Sequence, residues 1–304
     1  MKVVKTKDSL RAELAVTRQN GRSIVLVPTM GALHAGHLDL VRKGKAVGDV
    51  VVCSIFVNPT QFNDPKDLEK YPRSLDEDLQ KLESVHCDVV FIPETEEMYS
   101  AHELGIDSAS ATLADDPAPW NLDLGVLDEI LEGRHRPGHF QGVSQIVYKL
   151  FNAVRPDLAI FGQKDLQQFK VVQRMVALKG LEVELVMAPT VREPDGLAMS
   201  SRNVRLTPLG RQQALAFYRT LEEINRRYAR VRSGESSLAE LRNFANQTLT
   251  NSEGISLEYF AICDRDTLLE ADESTPPDNL VALVAGWVDG VRLIDNMLLT
   301  GDSN

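Results

Sequence analysis

Over its first 190 residues the chain alternates short β-branched apolar runs with longer amphipathic stretches, and this alternation limits the possible folds more than any other feature. Ser23–Val27 reads as a buried strand stopped by Pro28, and His37–Val47 as a helix stopped by Gly48. Val50–Val57 is almost continuously apolar, as suits a central parallel strand covered on both faces. Ser74-Leu75-Asp76-Glu77 has the form of a capping box and predicts a helix to about Val85. Strands at Asp88–Ile92, Leu158–Phe161 and Glu182–Met187, with helices at Gly142–Val154 and Asp165–Leu178, continue the pattern. Strand and helix in strict turn predict an α/β fold around a doubly wound parallel sheet.

Past Pro189 the character changes. Thr207-Pro208 offers a cap and a first-turn proline for an Arg-rich helix, whose charges a solvated face would explain. Leu257–Ile262, Val281–Trp287 and Val291–Asp295 then read as strands. The expected organisation is therefore an α/β domain over 1–190 and a smaller α+β domain over 191–304. Length agrees: 304 residues at roughly 150 per domain give about two. Leu104–Leu127, acidic and Pro-containing, shows neither period and is expected to form a loop or lid.

Composition narrows the function classes. Lys and Arg number 33 against 44 Asp and Glu, a net charge of −11, which opposes long-range attraction to nucleic acid or an anionic membrane. No apolar stretch approaches the roughly 20 residues of a membrane span. Three scattered cysteines, Cys53, Cys87 and Cys263, suit reduced thiols in the cytoplasm better than a disulfide frame.

Five stretches carry possible chemistry. Pro28–His37 leaves a strand and opens a helix, where backbone N–H groups and the helix dipole favour anions. His34 and His37 stand three apart on its first turn, with Gly36 between them. Two imidazoles there suit nucleotide phosphates; the rival metal reading lacks a Cys or third His, and chance spacing is the bland alternative. No Walker loop or Gly-x-Gly-x-x-Gly motif is present. Asn58 and Gln61 leave the end of the second strand, where a polar substrate or a mere Asn-Pro turn would account for them. Gly162-Gln163-Lys164-Asp165 adds a point charge at a further strand end. Asp195–Asn203, with Ser200, Ser201 and Arg202 in succession, could clamp phosphate or form a Ser-rich surface turn. Glu132–Phe140 is a basic loop in an acidic protein, open to an anion-site or an ion-paired reading.

Together and in this order, these stretches resemble the pantoate–β-alanine ligase family of the His-x-Gly-His nucleotidyltransferases. Tyr71-Pro72-Arg73, Lys149-Leu150-Phe151-Asn152 and Arg292-Leu293-Ile294-Asp295-Asn296 complete the set, so the likeness runs nearly the whole length. The resemblance implies a Rossmann-like fold whose smaller domain closes over the site, and a two-step ligation. ATP and (R)-pantoate would form pantoyl adenylate, and β-alanine would then displace AMP to give pantothenate. It assigns His34, His37, Lys164 and Arg202 to catalysis, with His37 as proton donor. It places Met30, Gly162, Asp165, Val191, Met199, Ser200 and Ser201 with them around ATP. Gln61, Gln168, Asn58 and Arg136 would take pantoate, and Gln61 also β-alanine. Mg²⁺ on the phosphates, by ligands left open, and a cytoplasmic homodimer are implied too. Gln163 stands where the family has Glu, and 100–128 matches no family motif. An adenylyltransferase with a phosphate acceptor is disfavoured by the neutral Gln61 and Gln168. A nonenzymatic nucleotide-binding module is disfavoured by the intact His34, His37, Lys164 and Arg202.

Overall fold

The computed structural model describes residues 1–104 and 120–301. They form two compact units, Met1–Gly162 with Gln168–Ala188, and Gln163–Gln167 with Pro189–Asn304. The first contains β1 (Lys2–Val4), α1 (Lys7–Gln19), β2 (Ile24–Thr29), α2 (Ala35–Val47), β3 (Val50–Ile55), α3 (Pro65–Glu69) and α4 (Leu75–Ser84). It continues through β4 (Val89–Phe91), α5 (Thr95–Met98), α6 (Leu131–His135), α7 (His139–Val154), β5 (Leu158–Gly162), α8 (Leu166–Lys179) and β6 (Glu184–Ala188). The six strands pair in parallel in the order β1-β4-β3-β2-β5-β6.

Side chains alternate across this sheet. Val25, Val27, Val51 and Cys53 share one core with Leu40 and Val41 of α2 and Leu82 of α4. On β2, α7 also packs against the sheet and is itself packed by α1. A sheet wound on both faces is the architecture that the alternation predicts.

The second unit holds α9 (Pro208–Arg232), α10 (Leu238–Thr250) and an antiparallel sheet of β7 (Ser256–Asp264), β8 (Leu280–Val288) and β9 (Val291–Leu298). Leu221, Ile224 and Tyr228 of α9 and Leu241 and Ala245 of α10 meet Phe260, Ile262 and Val284 in its core. Thr207 caps α9 by accepting the Gly210 N–H at 3.0 Å. Much of the arginine face is ion-paired, Arg226 and Arg227 with Glu223 and Arg230 with Glu235, as a solvated face requires.

Four expectations change in detail. Pro28 does not stop β2, which pairs with β3 through Pro28–Ser54 and Thr29–Ile55. Thr29 turns its carbonyl to β3, accepting from the Phe56 N–H, so Pro28 faces β5. There the ladder ends at Leu26–Ala159, and the missing proline N–H breaks nothing. Ser74 makes no capping bond; its hydroxyl turns to the Asp78 carboxylate at 3.3 Å instead. The basic stretch 132–140 is mostly helical, split between α6 and the first turn of α7. β1, α1 and α10 were not anticipated, although Ser237-Leu238-Ala239-Glu240 is a true capping box. Of the expected loop at 104–127, residues 105–119 lie outside the described residues; 120–124 are irregular, and Gly125–Asp128 is a 3-10 turn.

Candidate active site

In this sheet the winding reverses at β2, with β3 on one side and β5 on the other. Such a switch point opens a crevice at the carboxyl ends of the strands. Here the opening is visible in the ladder, because β2 and β5 pair only through Val25–Leu158 and Leu26–Ala159. The turns leaving β2 and β3 carry the His pair and Gln61, and Gly162 is the last residue of β5.

The β2 turn is tight. Gly31 has φ +78°, and a Cβ there would lie 3.1 Å from both the Asp78 carboxylate and Ile55, so glycine is required. His34 caps α2, and its ring lies 4.0 Å from that of His37, tilted by 35°. Nδ1 of His37 accepts the His34 N–H at 3.4 Å, which leaves the neutral ring proton on Nε2. Both half-buried imidazoles thus stand at the N-terminal end of α2, where an anion is stabilised.

At the β3 turn Gln61 is buried and held from three sides. Its Oε1 accepts from Nδ2 of Asn58 at 3.1 Å, and its Nε2 lies 3.0 Å from Sδ of Met30 on the neighbouring turn. His139 Nδ1 donates to the Gln61 carbonyl at 2.7 Å, while its Nε2 accepts from Arg136 at 3.0 Å, a pairing that fixes the tautomer. Arg136 also lies 3.8 Å from Glu132. The Asn58 side chain is saturated. Its second N–H reaches the Gly142 carbonyl at 3.1 Å, and its oxygen accepts from Tyr99 at 2.7 Å and Thr60 at 3.1 Å. Burial pushes the Tyr99 phenol well above its usual range, so it stays a donor. Lys149 stands 5.0 Å over the Tyr99 ring and pairs with Glu103 at 2.7 Å, continuing the network. Gln168 lies half-buried on α8.

In the second unit, Asn296 at the middle of β9 is buried and gives both amide N–H groups away. They reach the carbonyls of Gln163 and Lys164, each at 2.9 Å, and its oxygen accepts from Gln163 Nε2 at 3.2 Å. Asp295 takes Arg192 in a two-point pair at 2.6 and 3.0 Å. Arg192 opens the narrow hairpin in which Met199 N–H bonds the Val191 carbonyl at 3.0 Å. Ser200 ends that hairpin by accepting the Arg202 N–H at 3.2 Å, capping a 3-10 turn over Ser201–Arg205. Lys164 lies 3.7 Å from Asp165 and is mostly covered.

A family model described as pantoate-beta-alanine ligase matches residues 2–298. The chain belongs to the pantoate-beta-alanine ligase family. It is 42% identical to a pantothenate synthetase of Bacteroides fragilis (strain YCH46) over 297 residues, 98% of each chain. A crystal structure of pantothenate synthetase from Thermus thermophilus superposes with TM-score 0.83 at 39% identity, covering 98% of this chain and 99% of that one. A pantoate-beta-alanine ligase from Francisella tularensis, complexed with beta-gamma ATP and beta-alanine, gives TM-score 0.73 at 33% identity over 98% and 97% of the two chains.

Gln163 has a defined local role in this pantoate-beta-alanine ligase. Gln163 donates to an Asn296 oxygen whose amide is already engaged, a bond that a carboxylate could not make. Tyr99 and Asp78 are supports that the sequence did not announce. Asp78 left one trace, an acid one helical turn from Leu82 on the buried face of α4.

Proposed function

We propose that this enzyme makes pantothenate by way of an acyl adenylate. A pantoate carboxylate oxygen attacks the α-phosphorus of ATP; the bond to the β-phosphate oxygen breaks and pyrophosphate leaves. The β-alanine amine then attacks the acyl carbon, its nitrogen loses a proton, and the bond to AMP breaks. The arrangement that carries this reading is the His pair on a helix N-terminus with a buried carboxamide, Gln61, touching the same turn through Met30.

In this scheme His34 and His37 hold the phosphates, and Nε2–H of His37 faces charge developing on the leaving oxygen. Lys164, Ser200, Ser201 and Arg202 neutralise the phosphates, with Met30, Gly162, Asp165, Val191 and Met199 about the nucleotide. Gln61 and Gln168 hold pantoate, and Gln61 also meets β-alanine. Asn58 and Arg136 serve from behind, since the Asn58 side chain has no hydrogen-bond capacity left and Arg136 orients His139 against Gln61. Alignment of carboxylate and α-phosphorus supplies much of the acceleration.

Among the described residues no group of three or more His, Cys, Asp or Glu could hold a metal. Magnesium enters the proposal as the counter-ion of the ATP phosphates. No helix among the described residues is long and apolar enough to cross a membrane, and the three cysteines are free and buried. A cytoplasmic homodimer completes the proposal.

Pantoate-dependent exchange of labelled pyrophosphate into ATP, with β-alanine omitted, tests the route. Exchange that requires (R)-pantoate is expected. ATP binding with no exchange would overturn the adenylate.

A further inference from the structure

The Gly31–Leu33 turn should not hold its shape unaided. Ala32 has φ +48°, a left-handed conformation that a residue with a Cβ adopts only under constraint. What holds it comes from α4. The Asp78 side chain, 1% exposed, accepts the Ala32 N–H on one oxygen at 2.8 Å and the Leu33 N–H on the other at 2.7 Å. Lys81, one turn further along α4, donates to the Leu33 carbonyl at 2.9 Å. Three polar groups of the backbone just before His34 are therefore fixed by one helix.

This grip has a chemical consequence. In a phosphate-binding loop the turn's own N–H groups face the anion. Here Ala32 and Leu33 turn theirs toward a buried carboxylate, so the turn has no amide left for phosphate at these positions. Anion recognition falls to the first turn of α2 and to the His34 and His37 rings, whose direction is set by where the turn delivers them. The two backbone N–H groups in turn satisfy both oxygens of this buried side chain.

We infer that Asp78, assisted by Lys81, is a positioning residue for the adenylation step. It acts through the Gly31–Leu33 turn on the two imidazoles and touches no substrate. The inference rests on the reading of His34 and His37 as phosphate ligands.

Asp78→Asn keeps the size but sets an NH₂ group against one of the two N–H donors. Lys81→Met, at a half-exposed position, removes the donor to the Leu33 carbonyl and loosens the same turn without touching Asp78. Wild type, both variants and Asp78→Glu are compared in pantoate-dependent pyrophosphate exchange, in release of pantothenate from supplied pantoyl adenylate plus β-alanine, and in melting temperature. The exchange kcat of Asp78→Asn is expected to fall by about 100-fold, the scale of an ångström-sized misplacement. That of Lys81→Met should fall several-fold at an unchanged melting temperature, and Asp78→Glu should recover part of the loss. The KM for pantoate and the β-alanine half-reaction should stay within about threefold of wild type. Exchange by Asp78→Asn within threefold of wild type would overturn the inference. So would equal losses in both half-reactions, which mark a smaller folded fraction rather than misplaced imidazoles. A wild type without exchange would instead sink the adenylate route itself, which separates the two failures.

Discussion

His37 has two nitrogens with separable tasks: Nδ1 accepts the His34 N–H, and Nε2 carries the ring proton that the proposed mechanism uses. His37→Ala is expected to lose about 100- to 1,000-fold in pyrophosphate exchange, the usual cost of one donor to developing charge. The ring is only half-buried, so the melting temperature should move by a few degrees at most. Near-normal exchange in this variant would remove His37 from the mechanism. At this scale the sequence was most legible where a side chain and its purpose lie close together along the chain. His34, His37 and Gln61 sit in strand-end turns, and it is that context of strand before and helix after, more than their spacing, that makes them candidates. Residues that work at a distance stayed hidden. Tyr99 reaches Asn58 across 41 positions and Asn296 reaches Gln163 across 133, and no local pattern encodes either bond. Asp78 is the intermediate case. A capping box would pair Ser74 with Glu77, whereas the folded helix gives the Ser74 hydroxyl to Asp78.

Elements meet the site through close approach, and α7 makes the closest. A Cβ on Gly142 would fall on the Thr60 carbonyl and the Gln61 N–H, backbone atoms that cannot rotate away. Gly142 therefore lets α7 lie against the turn whose Asn58 amide it also receives. Gly142→Ala should push the helix off that turn, costing about 1–3 kcal/mol of stability. The KM for pantoate should rise about tenfold or more while the KM for ATP changes little, if Gln61 holds pantoate as proposed. Equal KM values in steady-state kinetics would disconnect α7 from the pantoate end. Elements themselves were legible in proportion to their burial on both faces. β3 declares itself as a nearly continuous apolar run, interrupted by Ser54 alone, because both sides of it are covered. β1, three residues at the sheet edge, carries too little pattern to read, and α10 was overlooked despite its capping box. Pro28 misled for a physical reason. A proline ends a strand only if its N–H is wanted, and which neighbour it faces follows from strand order, a property of the assembled sheet.

For the whole molecule, the pH range of stability follows from which groups the fold holds away from their ordinary values. Burial raises the Glu103 carboxyl, but hydrogen bonds from Lys149 and the Ser100 N–H outweigh it and leave a net lowering. Asp264 is likewise raised by burial and brought lower by the Thr267 N–H and hydroxyl, and Glu223 is lowered chiefly by Arg226. Each is a stronger acid folded than unfolded. Its stabilisation is present above the ordinary carboxyl value and is lost as pH falls through the folded one. Asp295 runs the other way, since burial outweighs Arg192 and pushes it up, and so trims this acid slope. On the alkaline side burial raises the Cys87 thiol to about 11 and Cys263 to about 12, with Cys53 and Tyr99 also raised. These groups prefer to stay neutral in the fold, so their contribution is full below the ordinary thiol value of 9.0 and drains as pH climbs past it. Urea midpoints should form a plateau from roughly pH 5 to 9 and decline on both sides. Lys149→Met sharpens the test on the acid limb. Without its ammonium, burial dominates Glu103, and the variant is less stable wherever that carboxyl is charged. The gap to wild type should be widest at neutral pH and close as pH falls below the ordinary glutamate value of 4.5. A gap that persists unchanged to about pH 3 would mean that Lys149 stabilises the fold through its 5.0 Å contact with the Tyr99 ring, and not through Glu103.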